Sequence, residues 1–136
     1  MKILLDTNIC IYLINKKNEN VLKKFDFYKT GEIGISSISY SELIFGAYKS
    51  SRVQQNLDAL NEFILPLEIV PFDDEAGFSY GRIRTLLEKK GVLIGPMDLL
   101  IGSHAISMKI PIVTNNEREF IKIPELQIIN WVKNGV

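Results

Sequence analysis

The sequence has few of the residues that build disulfide frameworks, membrane spans or histidine-based active sites. It contains one cysteine, Cys10, and one histidine, His104, among 136 residues. A lone cysteine forms no internal disulfide, and its place inside an apolar pattern predicts a buried, unreactive thiol. No apolar run reaches the length of a membrane span, and the N-terminus lacks the features of a signal peptide. We therefore expect a cytoplasmic protein with no membrane segment.

The sequence also lacks an excess of charge of either sign. Its 16 basic and 16 acidic residues give a formal net charge of zero, which taken alone argues against a nucleic-acid partner. Four of the acids belong to the cluster described below, and without them the chain carries a surplus of four basic residues. The net charge therefore neither excludes nor favours a nucleic-acid partner. The length predicts one domain over residues 1–136 that buries its core without disulfide support.

Short apolar runs alternate with helical patterns along the chain. Strands are predicted over residues 3–5, 33–35, 69–70, 112–113 and 126–129. The helices predicted between them include an apolar one over residues 9–14, expected to be largely buried, and an amphipathic one over residues 53–64. Another helix, over residues 21–28, is expected to end at Gly31. This alternation predicts parallel βαβ units and hence an α/β fold.

Four acidic residues lie at strand–helix junctions of this pattern. Asp6 ends the first strand, and Glu42 is predicted in the first turn of the helix after the second strand. Asp98 opens a later helix, and Glu119 begins the helix after residues 112–113. Each also has a structural interpretation, since Asp6 is a good N-cap, Ser39 and Glu42 match a capping box, and acids in a first helical turn favour the helix dipole. For each residue taken singly, capping is the better interpretation.

Taken together, the four acids point to metal chemistry. Acids that follow neighbouring parallel strands converge at the carboxyl edge of the sheet, where ligands bind in open α/β folds. Carboxylates brought that close repel one another unless a cation neutralises them, and oxygen ligands without Cys or clustered His favour Mg²⁺ or Mn²⁺. Such an ion activates water for phosphodiester hydrolysis. His104 lies about 240° around its helix from Asp98, so we expect a packing or surface residue rather than a general base.

Four motifs occur in an order that spans nearly the whole chain. They are Leu5-Asp6-Thr7-Asn8, Ser41-Glu42-Leu43 with Gly46, Met97-Asp98-Leu99-Leu100-Ile101 with Ala105, and Thr114-Asn115-Asn116 with Arg118-Glu119-Phe120. This ordered set resembles the PIN-domain ribonucleases, and among them the VapC toxins of bacterial toxin–antitoxin pairs. The resemblance implies a PIN-like fold, in which a central parallel sheet of four to five strands is flanked by helices. It also implies an acidic pocket that binds Mg²⁺ or Mn²⁺.

The resemblance further implies roles for individual residues. The acids that match the three core acids of the family are Asp6, Glu42 and Asp98. The fourth position is open between Glu119, Glu117 and Asn116, because many relatives have Asp where this chain has Asn116. Glu119 is favoured because it directly precedes the matching Phe120. The supporting residues are predicted to be Thr7, Asn8, Thr114 and Asn116, of which Thr7 or Asn8 orients Asp6 or the bound water.

Partners and a substrate also follow from the resemblance. It predicts a homodimer bound by a VapB-type antitoxin that covers the acidic pocket. The helices over residues 9–14 and 53–64 are candidate dimer faces because they are strongly apolar. It predicts an RNA substrate, and the motifs look most like the branch that cuts initiator tRNA in its anticodon loop. Candidate contacts to the RNA backbone are Lys16, Lys17, Lys49, Arg52, Arg82 and Arg84.

Two alternative functions remain open at this point. A PIN nuclease for RNA processing, without an antitoxin, has the same site, although we expect no additional RNA-binding domain. A phospho-receiver signalling module has a similar size and α/β pattern. Receivers need an acidic pair after the first strand, whereas Asp6 has no acidic neighbour. The receiver is therefore the weaker alternative.

Overall fold

The computed structural model describes residues 1–133, which form five strands and seven helices. The strands are β1 (Ile3–Leu5), β2 (Ile33–Ser36), β3 (Glu68–Val70), β4 (Ile112–Val113) and β5 (Ile128–Ile129). The helices are α1 (Thr7–Asn15), α2 (Glu19–Asp26), α3 (Ser37–Lys49), α4 (Val53–Phe63), α5 (Asp74–Lys89), α6 (Pro96–Met108) and α7 (Glu117–Phe120). The last three residues of the predicted domain lie outside this described part of the chain.

The central strand of the sheet is β1. All strand pairs are parallel, and the strand order is β3-β2-β1-β4-β5. Leu5 lies opposite Ile35 of β2 on one side and Val113 of β4 on the other. This confirms the predicted α/β fold with a parallel sheet. Because the chain adds strands to one side of β1 and later to the other, the carboxyl end of β1 lies at a topological switch point, where ligands bind in such sheets.

Side chains of β1 point alternately into two hydrophobic cores. Ile3 and Leu5 belong to the core that α1, α2, α3 and α4 cover, which also includes Trp131. Leu4 belongs to the opposite core, beneath α5 and α6. Both faces of the sheet are therefore covered, which explains why β1 is a continuous apolar run. The backbone that leads into Asp6 is consequently held on both faces and along both edges.

Polar residues and proline set the ends of most helices. Asp6 caps the N-terminus of α1, and Lys16, which directly follows the helix, has a left-handed conformation. Asp73 caps α5 through a hydrogen bond to a first-turn amide, and Pro96 occupies the first position of α6, where its missing N–H costs nothing. None of the helices in residues 1–133 combines the length and the hydropathy that a bilayer span requires.

Two details of the predicted elements are wrong. The second helix ends at Asp26, and Gly31 lies in the following turn, which Glu32 closes by accepting a hydrogen bond from the Lys29 amide. The last strand includes only residues 128–129 of the predicted 126–129, because its neighbour β4 is itself two residues long. The first helix is largely buried, as predicted, although Ile11 is 41% exposed.

Candidate active site

Asp6 follows β1 directly and lies at the carboxyl edge of the sheet. Its side chain is buried, and both carboxylate oxygens accept hydrogen bonds. Oδ1 accepts from the backbone N–H of Ile9 at 2.8 Å, which caps α1, and Oδ2 accepts from Thr114 Oγ1 at 2.5 Å. The capping interpretation is therefore correct but incomplete, because the second oxygen is bound to the end of β4. These two bonds fix the carboxylate between the two neighbouring strands.

Glu42 belongs to the second turn of α3. Ser36, and not Ser39, caps this helix, since the Ser36 Oγ accepts a hydrogen bond from a first-turn amide at 3.1 Å. The predicted capping box and the predicted first-turn position of Glu42 are therefore both wrong. Glu42 Oε1 instead accepts from Thr7 Oγ1 of α1 at 2.5 Å. The carboxylate thus faces the end of β1 rather than its own helix terminus.

Asp98 is the third residue of α6 and is half-buried. Burial is the largest cause that raises the pKa of Asp98, and the carboxylates of Glu119 and Glu42 raise it further. Within residues 1–133, no hydrogen bond or basic side chain offsets this rise. Asp98 is therefore the least compensated of the four acids.

Glu119 approaches Asp98 across Gly95. A methyl group on Gly95 would stand 3.5 Å from Asp98 Oδ2 and 3.6 Å from Glu119 Oε1. The same Glu119 oxygen accepts a hydrogen bond from the Gly95 amide at 2.6 Å. Glu117, by contrast, forms a salt bridge of 2.6 Å with Lys133. The structure thus brings Glu119, and not Glu117, next to Asp98.

Asp6 has an unusually high pKa for an aspartate. Its pKa rises from 3.8 to about 6, mainly because the side chain is buried. The carboxylates of Asp98 and Glu42 add to the rise, which shows that the three charges act on one another. The hydrogen bonds from Thr114 and Ile9 lower the pKa but do not cancel these effects. Negative charge is therefore concentrated at this edge of the sheet.

In contrast to Asp6, Glu119 has a pKa below the ordinary value of a glutamate. The Gly95 amide and then Lys122, whose Nζ lies 3.0 Å from Glu119 Oε2, lower its pKa. Neither partner was predicted from the sequence. Lys122 follows Glu119 by three residues, a spacing at which opposite charges pair on a helix, so that contact had a recognisable signal. The Gly95 amide had none, because its direction depends on how α6 begins.

The donor set of this pocket fits a hard divalent cation. Its ligands are carboxylate oxygens, and burial together with neighbouring negative charge raises the pKa of both Asp6 and Asp98, as expected where a cation is needed. Within residues 1–133, no three His, Cys, Asp or Glu side chains lie close enough together to ligate one ion directly. Mg²⁺ is compatible with such an arrangement, because it usually keeps several waters and is held by only one or two carboxylates.

The four predicted supporting residues are of two kinds. Thr7 donates to Glu42 and Thr114 donates to Asp6, so Thr114, and neither Thr7 nor Asn8, orients Asp6. The alternative role of Thr7 or Asn8, orienting the bound water, stays a prediction. Asn116 donates its backbone N–H to Thr114 Oγ1 at 2.8 Å. The side-chain amides of Asn8 and Asn116 make no hydrogen bond to any residue in 1–133. The hydroxyl groups of Thr7 and Thr114 therefore orient Glu42 and Asp6. The carboxamides of Asn8 and Asn116 remain available to bind a ligand.

His104 lies outside the acidic pocket. It is buried, its Nδ1 is 2.8 Å from Ser36 Oγ, and its ring packs edge-on against Phe72. Burial lowers the pKa of His104, so the imidazole is neutral at neutral pH. The predicted packing role is confirmed.

Two arginines among the predicted RNA contacts are engaged in salt bridges. Arg82 pairs with Glu125 at 2.7 Å, and Arg84 pairs with Glu88 at 2.7 Å. Lys17 forms no salt bridge with any described residue, and it lines a cleft next to the acidic pocket. Of these three residues, Lys17 is therefore the best placed to contact a bound phosphate.

Comparisons with known proteins agree with this fold. The sequence model of the PIN domain matches residues 3–126. Similar sequences include Ribonuclease VapC2 of Rickettsia felis, 46% identical over 96% of this chain and 98% of the relative. The tRNA(fMet)-specific endonuclease VapC of Salmonella typhimurium is 42% identical with the same coverage. Similar solved structures include VapBC2 from Rickettsia felis bound to a promoter DNA fragment, with a TM-score of 0.89 at 43% identity, covering 96% of this chain and 99% of that one. DNA-bound VapBC from Salmonella typhimurium has a TM-score of 0.92 at 42% identity, with 96% and 98% covered.

Proposed function

The chain belongs to the PIN-domain family, and from that premise we propose that it is a metal-dependent endoribonuclease, the toxin of a toxin–antitoxin pair. The observation that carries the proposal is the convergence of the acids at the carboxyl edge of β1. They are Asp6, Glu42, Asp98 and Glu119. Membership in this family also excludes the phospho-receiver alternative.

We assign the four acids to one Mg²⁺ or Mn²⁺ site, which they hold directly or through the waters of the ion. When bound, the ion supplies an activated water and a counter-charge for the phosphoryl oxygens. Thr114 and Thr7 hold Asp6 and Glu42 in orientation before the substrate arrives, so the site is preorganised. The uncompensated charge of Asp98 repels an RNA phosphate in the absence of a cation. Cleavage should therefore depend strictly on a divalent ion.

Nuclease assays with purified protein test this assignment. The variants Asp6→Asn, Glu42→Gln and Asp98→Asn each remove one negative charge with little change of shape. We expect each to lower RNA cleavage by at least about 100-fold, and EDTA to abolish cleavage by the wild type. Glu62→Gln, on the exposed face of α4, is the matched control and should retain full activity. Cleavage that survives excess EDTA would contradict the metal assignment.

The proposed substrate is initiator tRNA, cut in its anticodon loop. The relative from Salmonella typhimurium is named as a tRNA(fMet)-specific endonuclease, which supports this substrate. A loop also exposes unstacked bases and a bare phosphate, whereas an A-form duplex hides its base edges in a deep, narrow groove. Expressing the protein alone and probing total RNA tests the proposal. Intact initiator tRNA beside cleaved ribosomal RNA would refute the substrate but not the nuclease.

We assign a VapB-type antitoxin to an apolar groove between α1, α3 and α4. The groove has a volume of about 250 Å³. Its lining includes Ile11, Ile14, Leu43, Ala47 and Leu60, with Glu42 also in its wall. A partner segment in this groove reaches the acidic pocket, where an Arg fork would match the carboxylates. Solved relatives that are VapBC complexes support a partner of this kind, and the groove favours a toxin over an RNA-processing nuclease without an antitoxin.

Two helical glycines provide a test of this groove. Gly46 lines it, and a Cβ on Gly46 has nothing within 4 Å, so Gly46→Arg should fold and obstruct the groove. Gly81 of α5 is equally open, so Gly81→Arg is the matched control. We expect Gly46→Arg to lose the antitoxin that co-purifies with the wild type, and Gly81→Arg to retain it. If both variants bind the partner equally well, the partner does not occupy this groove.

We further propose that the protein is a homodimer, as the family resemblance predicts. We also propose that it is cytoplasmic, since a tRNA substrate lies in the cytoplasm and Cys10 is a free, buried thiol. The dimer faces predicted on α1 and α4 stay a prediction. Light scattering at micromolar concentration tests the oligomeric state, and a monomer would contradict it.

A further inference from the structure

A polar cleft of about 540 Å³ adjoins the acidic pocket. Its lining residues are Asn8, Ile11, Tyr12, Lys17, Asn115 and Asn116. No carboxylate is among these described residues, and Lys17 is the one that carries a charge. The cleft therefore differs in chemistry from the pocket beside it, and its volume lies in the range of ligand sites in proteins.

The cleft is connected to the acidic pocket through hydrogen bonds. Asn116 donates its backbone N–H to Thr114 Oγ1, which in turn donates to Asp6 Oδ2. Asn8, which also lines the cleft, follows Asp6 by two residues in the first turn of α1. A group bound in the cleft would consequently lie next to whatever the acids hold.

Two carboxamides in the cleft are free to bind a ligand. Asn115 is fixed, because its Nδ2 donates to Tyr12 Oη at 3.3 Å and its Oδ1 accepts from Asn130 at 3.4 Å. Asn8 and Asn116 have no such side-chain partner within residues 1–133. Each free carboxamide offers N–H donors beside a carbonyl acceptor. This pairing of donor and acceptor is complementary to the edge of a nucleobase.

We propose that this cleft binds the nucleobase next to the cleaved phosphodiester, with Asn8 and Asn116 bonded to the base edge and Lys17 to a neighbouring phosphate. The inference rests on the proposed RNA cleavage and adds to it the residues that select the base. Ile11 provides an apolar surface against which the base can lie. A phosphate alone would need only the lysine, whereas two unpaired carboxamides in one cleft match a base.

The test uses synthetic anticodon stem-loops of initiator tRNA that carry each of the four bases, or an abasic residue, beside the cleaved bond. The wild type should prefer one base and lose activity on the abasic RNA. Asn8→Ala should lower kcat/KM by about tenfold on the preferred base, yet lose nothing further on the abasic RNA, because both changes remove the same contact. Asn61→Ala, on the exposed face of α4, is the matched control and should behave as the wild type.

Lys17→Ala should raise KM on all of these RNAs by a similar factor and reduce the salt dependence of binding by about one counterion. Lys23→Ala, an exposed lysine on α2, is its control and should leave both unchanged.

Three outcomes would overturn the inference. If the wild type cleaves the stem-loops and Asn8→Ala is impaired equally on the abasic RNA, Asn8 acts on catalysis and the base does not occupy the cleft. If Asn8→Ala and Lys17→Ala weaken binding of a co-purifying protein but leave cleavage intact, the cleft belongs to that partner. If the wild type cleaves no RNA at all, the proposed function fails first and the inference fails with it.

Discussion

Replacing Asp6 with Asn should stabilise the metal-free protein at neutral pH, although it removes activity. The reason is the raised pKa of Asp6, which is about 6 in the folded protein instead of 3.8. Between these two values the folded state binds a proton that the unfolded chain has lost. Stability therefore falls as the pH rises through this window, and above it the full cost of the buried charge remains.

The expected size of the effect follows from the two pKa values. A rise from 3.8 to about 6 corresponds to about 3 kcal/mol that the ionised carboxylate costs the folded state. Asn keeps the hydrogen bond from the Ile9 amide, but its NH₂ group can lie where Oδ2 of Asp6 accepted a hydrogen bond from Thr114. We subtract about 1 kcal/mol from the stabilisation for the loss of that hydrogen bond. The net stabilisation at neutral pH should be about 2 kcal/mol, and it should vanish in acid, where Asp6 is protonated in both states.

Urea unfolding in EDTA, followed by circular dichroism from about pH 4 to pH 7, measures this difference. The wild type should lose stability across the window, whereas Asp6→Asn should lose much less. Asp74→Asn, in the exposed first turn of α5, is the matched control and should cost a few tenths of a kcal/mol at most through the helix dipole. Adding Mg²⁺ should stabilise the wild type by mass action and leave Asp6→Asn nearly unchanged. An Asp6→Asn protein that is less stable than the wild type at neutral pH in EDTA would refute the reasoning.

Three further predictions concern other residues. Glu119→Gln should lower RNA cleavage by about 10- to 100-fold, whereas Glu117→Gln should change it by no more than about twofold; equal effects in steady-state assays would contradict the placement of Glu119. Thr114→Val removes a hydrogen bond that lowers the pKa of Asp6, so the acid limb of the pH–rate profile should move to higher pH, and an unmoved limb would speak against this contact. Burial raises the pKa of the Cys10 thiol, so an aromatic disulfide reagent should label it only at the rate of unfolding, and rapid labelling of the native protein would show that it is accessible.

The sequence predicted those parts of the site that depend on strand order. Asp6 follows an apolar run that is buried on both faces, and Asp98 follows a Gly-Pro step that starts a helix. The positions of both acids at the ends of these elements could therefore be predicted from local sequence patterns. The position of Glu42 was not, because three serines compete to cap α3 and only the contact of Ser36 with its own helix decides among them. The partner of Glu42 lies 35 residues away, on Thr7. Such a contact exists only after the sheet and its helices have packed, and no local pattern encodes it.

The hydrogen-bond partners of the acids suit the cation site that we propose. Thr114 and Thr7 orient Asp6 and Glu42 through hydroxyl groups, which fix the direction of each carboxylate and leave its charge in place. A lysine or arginine in the same positions would neutralise the charge and compete with a metal ion for the same oxygens. Of the four acids, Lys122 pairs only with Glu119, whose pKa is lowered. The remaining charge is costly to the free protein, and either a divalent ion or an arginine of a bound partner would relieve it. We therefore expect catalysis and inhibition by the proposed partner to depend on the same uncompensated carboxylates.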